Sequence, residues 1–373
     1  MLLTGTSAMF QLHLLLLKLP KADRHFSTYI RRKKSTFRFA QVKEIEVYLL
    51  LESIDTKKSF GYDKVHPLLL SSAALEIFRP LTHIISLSLK HGIFPDNLKI
   101  AKVVPIFKQG SRSSCNNYRP ISVLSALKKI FERCILNQLS FYLTYEDILV
   151  PNQYGFRSAM TTVDCLVDLI DEITKALDEE NYAISIFLDL SEAFDTVNHS
   201  ILLPKLDVYG KRDIENQWFR SYRNKRKQKV FVNGVESDFL KVNSGVPQGS
   251  ILGPVLFLVY INDIVNATNY FYIRLFADDT SLTAACKDLD LLLQRINSEL
   301  PAIYKWLCSN RLTLNLSKTK YLVSQPRQKV NSNLHPPLKI ADQHLEQLYN
   351  VKYLGLVIDC FLSRHDRIDH ISS

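Results

Sequence analysis

The spacing of hydrophobic positions changes several times along the chain, and each change marks an element. Between Thr162 and Glu180 the apolar residues Val163, Leu166, Val167, Leu169, Ile170, Ile173 and Leu177 recur every three or four positions, which predicts an amphipathic helix. Leu289–Leu307 has the same period. Residues 41–54, Pro67–Phe78, Leu81–His91, Ala126–Tyr142 and Val255–Ile264 also read as helices, and a helical stretch leads to Trp218. The turn His91-Gly92-Ile93-Phe94-Pro95 closes one of them, since glycine and proline break helices. Extended apolar runs predict strands at Lys99–Phe107, Tyr118–Leu124, Tyr182–Asp189, Tyr321–Val323, Leu338–Ile340 and Val351–Asp359. Asn233-Gly234 is a hairpin turn signal, and Phe271–Ala285 reads as a second hairpin. Asn152-Gln153-Tyr154-Gly155-Phe156-Arg157 links two helices and carries no pattern of its own.

Two apolar runs end in acid. Ile184-Ser185-Ile186-Phe187-Leu188 leads to Asp189, and Ile273-Arg274-Leu275-Phe276-Ala277 leads to Asp278-Asp279. A carboxylate beside a core strand is costly unless its charge is compensated. A divalent cation compensates it, and hard oxygen donors suit magnesium. The two segments are therefore expected to be adjacent strands presenting one metal site.

Charge extends this picture. The chain has 373 residues, a net charge of +10 and a pI near 9.1, which favours a polyanionic partner, either nucleic acid or an anionic membrane surface. Residues 21–40 are basic and read equally as a nucleic-acid arm, an import patch or a solvated tail. Between Lys211 and Lys229 stand eight basic residues, with Phe219 and Tyr222 among them, a composition that suits backbone contact and base stacking. Leu12–Leu17 is too short to span a bilayer, and no other segment approaches that length, so no membrane partner is expected. The six cysteines make no C-x-x-C pair and read as reduced core thiols of an intracellular protein, not as a zinc site.

Two further stretches bear on chemistry. Lys108 and Arg119 flank a polar loop between extended segments, and in a hairpin they could lie on one side and grip phosphates. Ser244-Gly245-Val246-Pro247-Gln248-Gly249-Ser250-Ile251-Leu252-Gly253-Pro254 holds three glycines, which permit close approach of a backbone or a ligand.

Taken together, Phe187-Leu188-Asp189-Leu190-Ser191-Glu192-Ala193-Phe194-Asp195, Ser244–Ser250 and Phe276-Ala277-Asp278-Asp279, in that order, resemble the reverse transcriptases of non-LTR (LINE-type) retrotransposons, the jockey- and CR1-like groups in particular. The resemblance runs from about Leu89 to His370. It implies an α+β (mixed α/β) right-hand polymerase fold with fingers and palm, and an RNA-directed DNA polymerase. Asp189 and Asp278 would bind two Mg2+ ions (Mn2+ being a possible substitute), helped by the Leu190 carbonyl and by Asp279. Two metals ~3.5–4 Å apart neutralise the attacking and leaving oxygens of phosphoryl transfer. Phe194, by itself a core phenylalanine, would block the ribose 2′-hydroxyl of an incoming nucleotide. Gln248 would contact that nucleotide and the template base, and Gly249 would admit the template backbone. Lys108 and Arg119 match the residues that hold the triphosphate. Lys318, with Lys320 as competitor, would protonate the departing pyrophosphate. Tyr353-Leu354-Gly355 resembles the primer-grip turn. The implied partners are an RNA template, a DNA primer and deoxynucleoside triphosphates, the implied location is the nucleus, and the oligomeric state is left open.

The resemblance divides the chain into a basic tail (1–40), a partial N-terminal fingers extension (41–87), a reverse transcriptase domain (88–358, with fingers 88–183 and palm 184–358) and a short C-terminal segment (359–373), so that a truncated thumb is expected. Several supporting positions depart from the family pattern: Phe60-Gly61-Tyr62-Asp63-Lys64 replaces a Pro-Gly-Asp-Gly turn, Leu98 and Ser363 stand where tryptophan is usual, and Arg223 where an apolar residue is usual. Such drift keeps a second reading open, a catalytically weak or silent nucleic-acid-binding relic or domesticated protein. A two-metal nuclease would share the carboxylates but leaves Phe194, Gln248 and the two fingers cations unexplained.

Overall fold

A computed structural model describes residues 25–107, 109–114, 117–242, 244–247, 249–326 and 336–362. Leu12–Leu17, Lys108, Cys115, Gln248, Ser363 and most of the 325–337 loop lie outside the described residues. The chain is mixed α and β, and it forms two compact units.

One unit comprises residues 30–149 and 194–260. Its sheet has the order Tyr118–Val123, Ile100–Phe107, Lys227–Val232, Val235–Glu236, with Leu240–Lys241 also paired to Lys227–Val232. Ile100–Phe107 runs antiparallel to Tyr118–Val123, as the apolar runs predict, and parallel to Lys227–Val232, which they do not. Asn233 and Gly234 take left-handed φ of 50° and 81°, as a two-residue hairpin turn requires. The helices are Glu44–Glu52, Pro67–Ser72, Ala74–His91, Ala126–Tyr145, His199–Val208, Asp213–Arg223 and Gly253–Ile261. The expected break near Pro80 falls instead at Ala73. Pro80 sits inside Ala74–His91, whose apolar face is buried through Leu81, Ile85 and Leu89. Burial of that face outweighs the lost hydrogen bond.

The basic and aromatic stretch from Lys211 to Lys229 is divided: Arg220, Lys225 and Lys227 are exposed, while its aromatics and three of its cations turn inward. Trp218, Phe219 and Tyr222 are fully buried, and so in effect are Lys211, Arg223 and Arg226. Trp218 stacks on Tyr222 with ring centroids 5.4 Å apart, and Phe94 meets both edge-on. These aromatics repeat with the helix and form core. The described part of the basic tail is also engaged: Arg32 pairs with Asp207, and Arg38 with Asp213 and Glu215.

Beneath the aromatic cluster, three buried cations share one buried acid. Glu132 accepts from Tyr222 Oη at 2.6 Å and from the Ile251 amide at 2.7 Å, and Lys128 Nζ stands 3.5 Å from it. Burial and the Arg226 charge push the Lys128 ammonium down to about 7. Arg223 donates to the Gly245 carbonyl and to His199, while its Nε and Nη1 find no partner among the described residues. Burial, then the Arg226 charge, lowers Arg223 to about 9. A buried cation lacking its own counter-charge destabilises the fold.

The other unit comprises residues 25–29, 150–193 and 261–362. Its sheet has the order Glu346–Leu348, Lys320–Ser324, Tyr182–Leu188, Asp279–Cys286, Tyr272–Phe276. All pairs are antiparallel except Lys320–Ser324 with Glu346–Leu348. Every residue of the central strand Tyr182–Leu188 is buried. The helix Thr162–Asp178 starts at a capping box made by Thr161 and Asp164. It lays Cys165, Leu166, Leu169 and Ile173 into a core with Phe187, Leu322 and Tyr353. Buried Arg274 is neutralised: its Nε donates to Asp168 Oδ2 at 2.7 Å and its guanidinium lies over the Tyr272 ring. Val351–Asp359 is a hairpin, Asn350–Tyr353 with Leu356–Asp359, because Leu354 and Gly355 turn left-handed at φ 48° and 87°. Cys134, Cys165, Cys308 and Cys360 are buried thiols and Cys286 is partly buried, all unbridged.

Replacing Arg223 by methionine, which keeps volume and removes the charge, should stabilise the protein by about 1–4 kcal/mol, read as a higher urea midpoint at unchanged slope. An unchanged or lower midpoint would mean that the guanidinium is compensated.

Candidate active site

The carboxylates are assembled by strand register. Tyr182–Leu188 pairs with Asp279–Cys286 so that Leu188 faces Thr280, and Tyr272–Phe276 pairs back with Phe276 opposite Asp279. The hairpin therefore turns at Ala277-Asp278, with Ala277 at φ 56°. Asp189 follows Leu188 directly and so reaches the same end of the sheet as Asp278 and Asp279. The two acid-terminated runs are not the adjacent strands expected: Asp279–Cys286 lies between Tyr182–Leu188 and Tyr272–Phe276, and the acids share one sheet end because the hairpin turns there. Asp189 and Asp278 are half-buried and Asp279 is exposed.

Beyond Leu188 the chain stays fastened on its other side. The Asn315 amide donates to the Asp189 carbonyl at 2.8 Å, the Asp189 amide donates to Thr319 Oγ1 at 3.3 Å, and Leu190 bridges to Leu314. The backbone at Asp189 is thereby held through both its amide and its carbonyl. Lys318 lies in the turn from Asn315 to Thr319 and is exposed. Lys320 is committed to an ion pair with Glu346 on the neighbouring strand. Of the two lysines, Lys318 keeps the more available ammonium.

Asp279 feels the charges of both other aspartates. Partial loss of hydration, then repulsion from Asp278 and Asp189, raises the Asp279 carboxyl to about 6. Because Asp279 reaches solvent, water and salt screen part of this. In the folded state Asp279 holds a proton that the unfolded chain has already released, so its contribution to stability is present below about pH 4 and is lost as pH rises toward 6.

The other unit carries the remaining sequence-marked residues. Phe194 stacks on Phe257, centroids 4.6 Å apart. The Val246 amide donates to the Phe194 carbonyl at 2.7 Å and the Gly245 amide to the Val197 carbonyl at 2.9 Å. A Cβ on Gly245 would fall 2.6 Å from the Asp195 carbonyl oxygen, so only glycine lets these segments meet. The structure thus joins the Phe194 motif to the glycine-rich loop. Gly249, at φ 107°, brings its Cα to the Ser122 carbonyl, where a Cβ would sit 2.7 Å away. That contact ties the loop to the strand that carries Arg119, which is exposed opposite Ile106. Gln248 and Lys108 are outside the described residues.

The chain is thus a mixed α and β protein with three aspartates gathered at one end of a mostly antiparallel sheet. The comparisons make this specific. The sequence profile of the reverse transcriptase (RNA-dependent DNA polymerase) family matches residues 106–358, and the chain belongs to that family. It is 30% identical to the probable RNA-directed DNA polymerase from transposon BS of Drosophila melanogaster, over 84% of this chain and 35% of that protein. It is likewise 30% identical to the RNA-directed DNA polymerase from mobile element jockey of Drosophila melanogaster, over 86% of this chain and 36% of the relative. A third relative, the probable RNA-directed DNA polymerase from transposon X-element of the same fly, is 27% identical over 84% of this chain and 35% of its own length. The chain spans about a third of the length of these relatives. No helix among the described residues is long and apolar enough to cross a membrane.

Reverse transcriptases as a family use divalent metal ions. Among the described residues no three His, Cys, Asp or Glu side chains close on a common point as a ready metal cage. The donor set nevertheless fits such an ion. It is all carboxylate, and partial burial with the charges of Asp278 and Asp189 raises the proton affinity of Asp279, which a bound cation would reverse. Residues without a sequence-stated role also border the site. Asn152 and Tyr154 pair with Leu275 on the edge strand, and Gly155 lies against Ala277. Their sequence signal was slight, a lone glycine after polar residues.

Asp279→Asn should flatten the decline in stability between about pH 4 and pH 6, as followed by thermal melts across that range. A wild-type curve already flat there would show that Asp279 titrates normally.

Proposed function

We propose that the chain carries the polymerase portion of a non-LTR retroelement protein and adds deoxynucleotides to a primer 3′-hydroxyl on an RNA template. The observation that carries this reading is the meeting of Asp189 with Asp278-Asp279 at one sheet end, through strand register alone. Asp189 and Asp278, with Asp279 and the Leu190 carbonyl, would hold two Mg2+ ions, Mn2+ being an alternative. When bound, such ions neutralise charge at the attacking and departing oxygens of phosphoryl transfer. Lys318 offers its ammonium proton to the departing pyrophosphate. Lys108 and Arg119 offset the triphosphate charge as it docks. Phe194, held by Phe257 on one ring face, excludes a ribose 2′-hydroxyl. Gln248 and Gly249 belong to the loop that receives the nucleotide and template. Action on a primed target implies a nuclear location. The buried Arg223, which lacks a full set of partners, supports a second reading, a decaying relic that binds nucleic acid without copying it.

Extension of a DNA primer on an RNA template with Mg2+ separates the two. The first reading expects Asp278→Ala to lower the rate by at least ~10³-fold, the scale of losing transition-state charge stabilisation. Equal extension by both proteins would sink it. Phe194→Ala should then bring ribonucleotide incorporation toward the deoxynucleotide rate, measured with each nucleotide alone.

A further inference from the structure

The turn that carries Asp278 and Asp279 is braced by a segment with no assigned role. Asn152–Gly155 runs beside the edge strand Tyr272–Phe276. The Tyr154 amide donates to the Leu275 carbonyl at 2.8 Å, the Leu275 amide donates to the Asn152 carbonyl at 2.9 Å, and Asn152 Nδ2 donates to the Ile273 carbonyl at 2.9 Å. The segment thus adds a short parallel pairing at the end of the strand nearest the turn.

Gln153 is the side chain that enters the turn. It is 1% exposed. Its Oε1 accepts from the Gly155 amide at 2.9 Å and from the Ala277 amide at 3.1 Å. Ala277 is the residue held at left-handed φ of 56°, a conformation that costs an alanine energy and persists only where its surroundings impose it. Gly155 makes the approach possible, since a Cβ there would fall 2.3 Å from the Ala277 nitrogen. Arg157 clamps the same segment from behind, donating through Nη1 to the carbonyls of Val150 and Gln153 at 3.0 and 3.3 Å.

An amide N–H buried at a tight turn needs an acceptor. At Ala277 that acceptor is a side chain, so turn geometry depends on one residue far away in sequence. We propose that Gln153 is a positioning residue for the catalytic turn: its Oε1 fixes the Ala277 peptide, and so sets where Asp278 and Asp279 present their carboxylates to a divalent cation. This rests on the reading of Asp278 and Asp279 as cation ligands. It adds a residue that touches neither cation nor nucleotide. The alternative for a buried glutamine is plain packing, which methionine would satisfy equally.

The test uses two readouts that need no turnover: amide hydrogen exchange of the peptide spanning Phe276–Thr280, and Mn2+ binding followed by electron paramagnetic resonance. Gln153→Met keeps the volume and removes the acceptor. It should raise exchange in that peptide about tenfold while the helix Leu289–Ser309 exchanges as in wild type, and weaken Mn2+ binding severalfold. Gln153→Glu keeps an acceptor oxygen and should stay close to wild type in turn exchange. Wild-type exchange and Mn2+ affinity in Gln153→Met would overturn the proposal, as would loosened exchange spread evenly over the unit. If Gln153→Met does not fold, Gln153→Asn, one methylene short of the Ala277 amide, decides by the same criteria. Asp278→Ala serves as the control for cation binding. A wild-type protein that binds Mn2+ but extends no primer would sink the polymerase reading and leave this one standing.

Discussion

Like charges at one end of a buried sheet repel, and something must hold them there. Here the restraint is register. The strand Tyr182–Leu188 is paired on both sides and buried along its whole length. A slip of one residue would exchange its two faces. The strand is also hydrogen-bonded to a neighbour on each edge, so sliding would break both ladders at once, and Asp189 is held with it. The backbone bonds from Asn315 and to Thr319 extend the lock past the last ladder pair. Repulsion among the acids therefore cannot relax by sliding. Partial burial first, and that repulsion second, leave Asp279 with a raised proton affinity. A site in that condition is suited to a cation.

The two units treat buried charge differently. Around the carboxylate sheet, Arg274 is wholly enclosed yet matched by Asp168, by the Thr283 hydroxyl and by an aromatic face. Beneath the aromatic cluster of the other unit, Lys128, Arg223 and Arg226 share Glu132, and several of their nitrogens lack acceptors among the described residues. A matched charge can specify a structure, whereas an unmatched one only costs. The position of Arg223, usually apolar in the resembling family, is where this mismatch falls.

The acids were legible because an aspartate closing an apolar run is conspicuous on chemical grounds alone. Phe194 was legible only through motif resemblance, since a lone phenylalanine has no chemistry to announce. The stretch from Lys211 to Lys229 divides between surface and core for a physical reason. Composition counts charges, but burial follows the helical face, and Trp218, Phe219 and Tyr222 share a face with Arg223. Val351–Asp359 reads as one strand because it is a largely apolar run, and the left-handed pair Leu354-Gly355 folds it into two. Gln153 was not legible at all. Its partner amide at Ala277 is distant in sequence, and no local pattern connects them.

By itself, the sequence determined most of the elements and marked the acidic residues that share a sheet end. Periodicity marks which segments bury a face, and an acid ending such a segment announces a compensating cation before any fold is known. Tertiary structure alone decided the strand order and register that bring those carboxylates to one sheet end, that Lys320 is engaged by Glu346 while Lys318 stays exposed, and that a glutamine oxygen accepts from the Ala277 amide behind Asp278 and Asp279. The reason is one of range. Side-chain type and spacing act over a few residues of chain, whereas strand register and hydrogen-bond partnership join segments separated by a hundred or more.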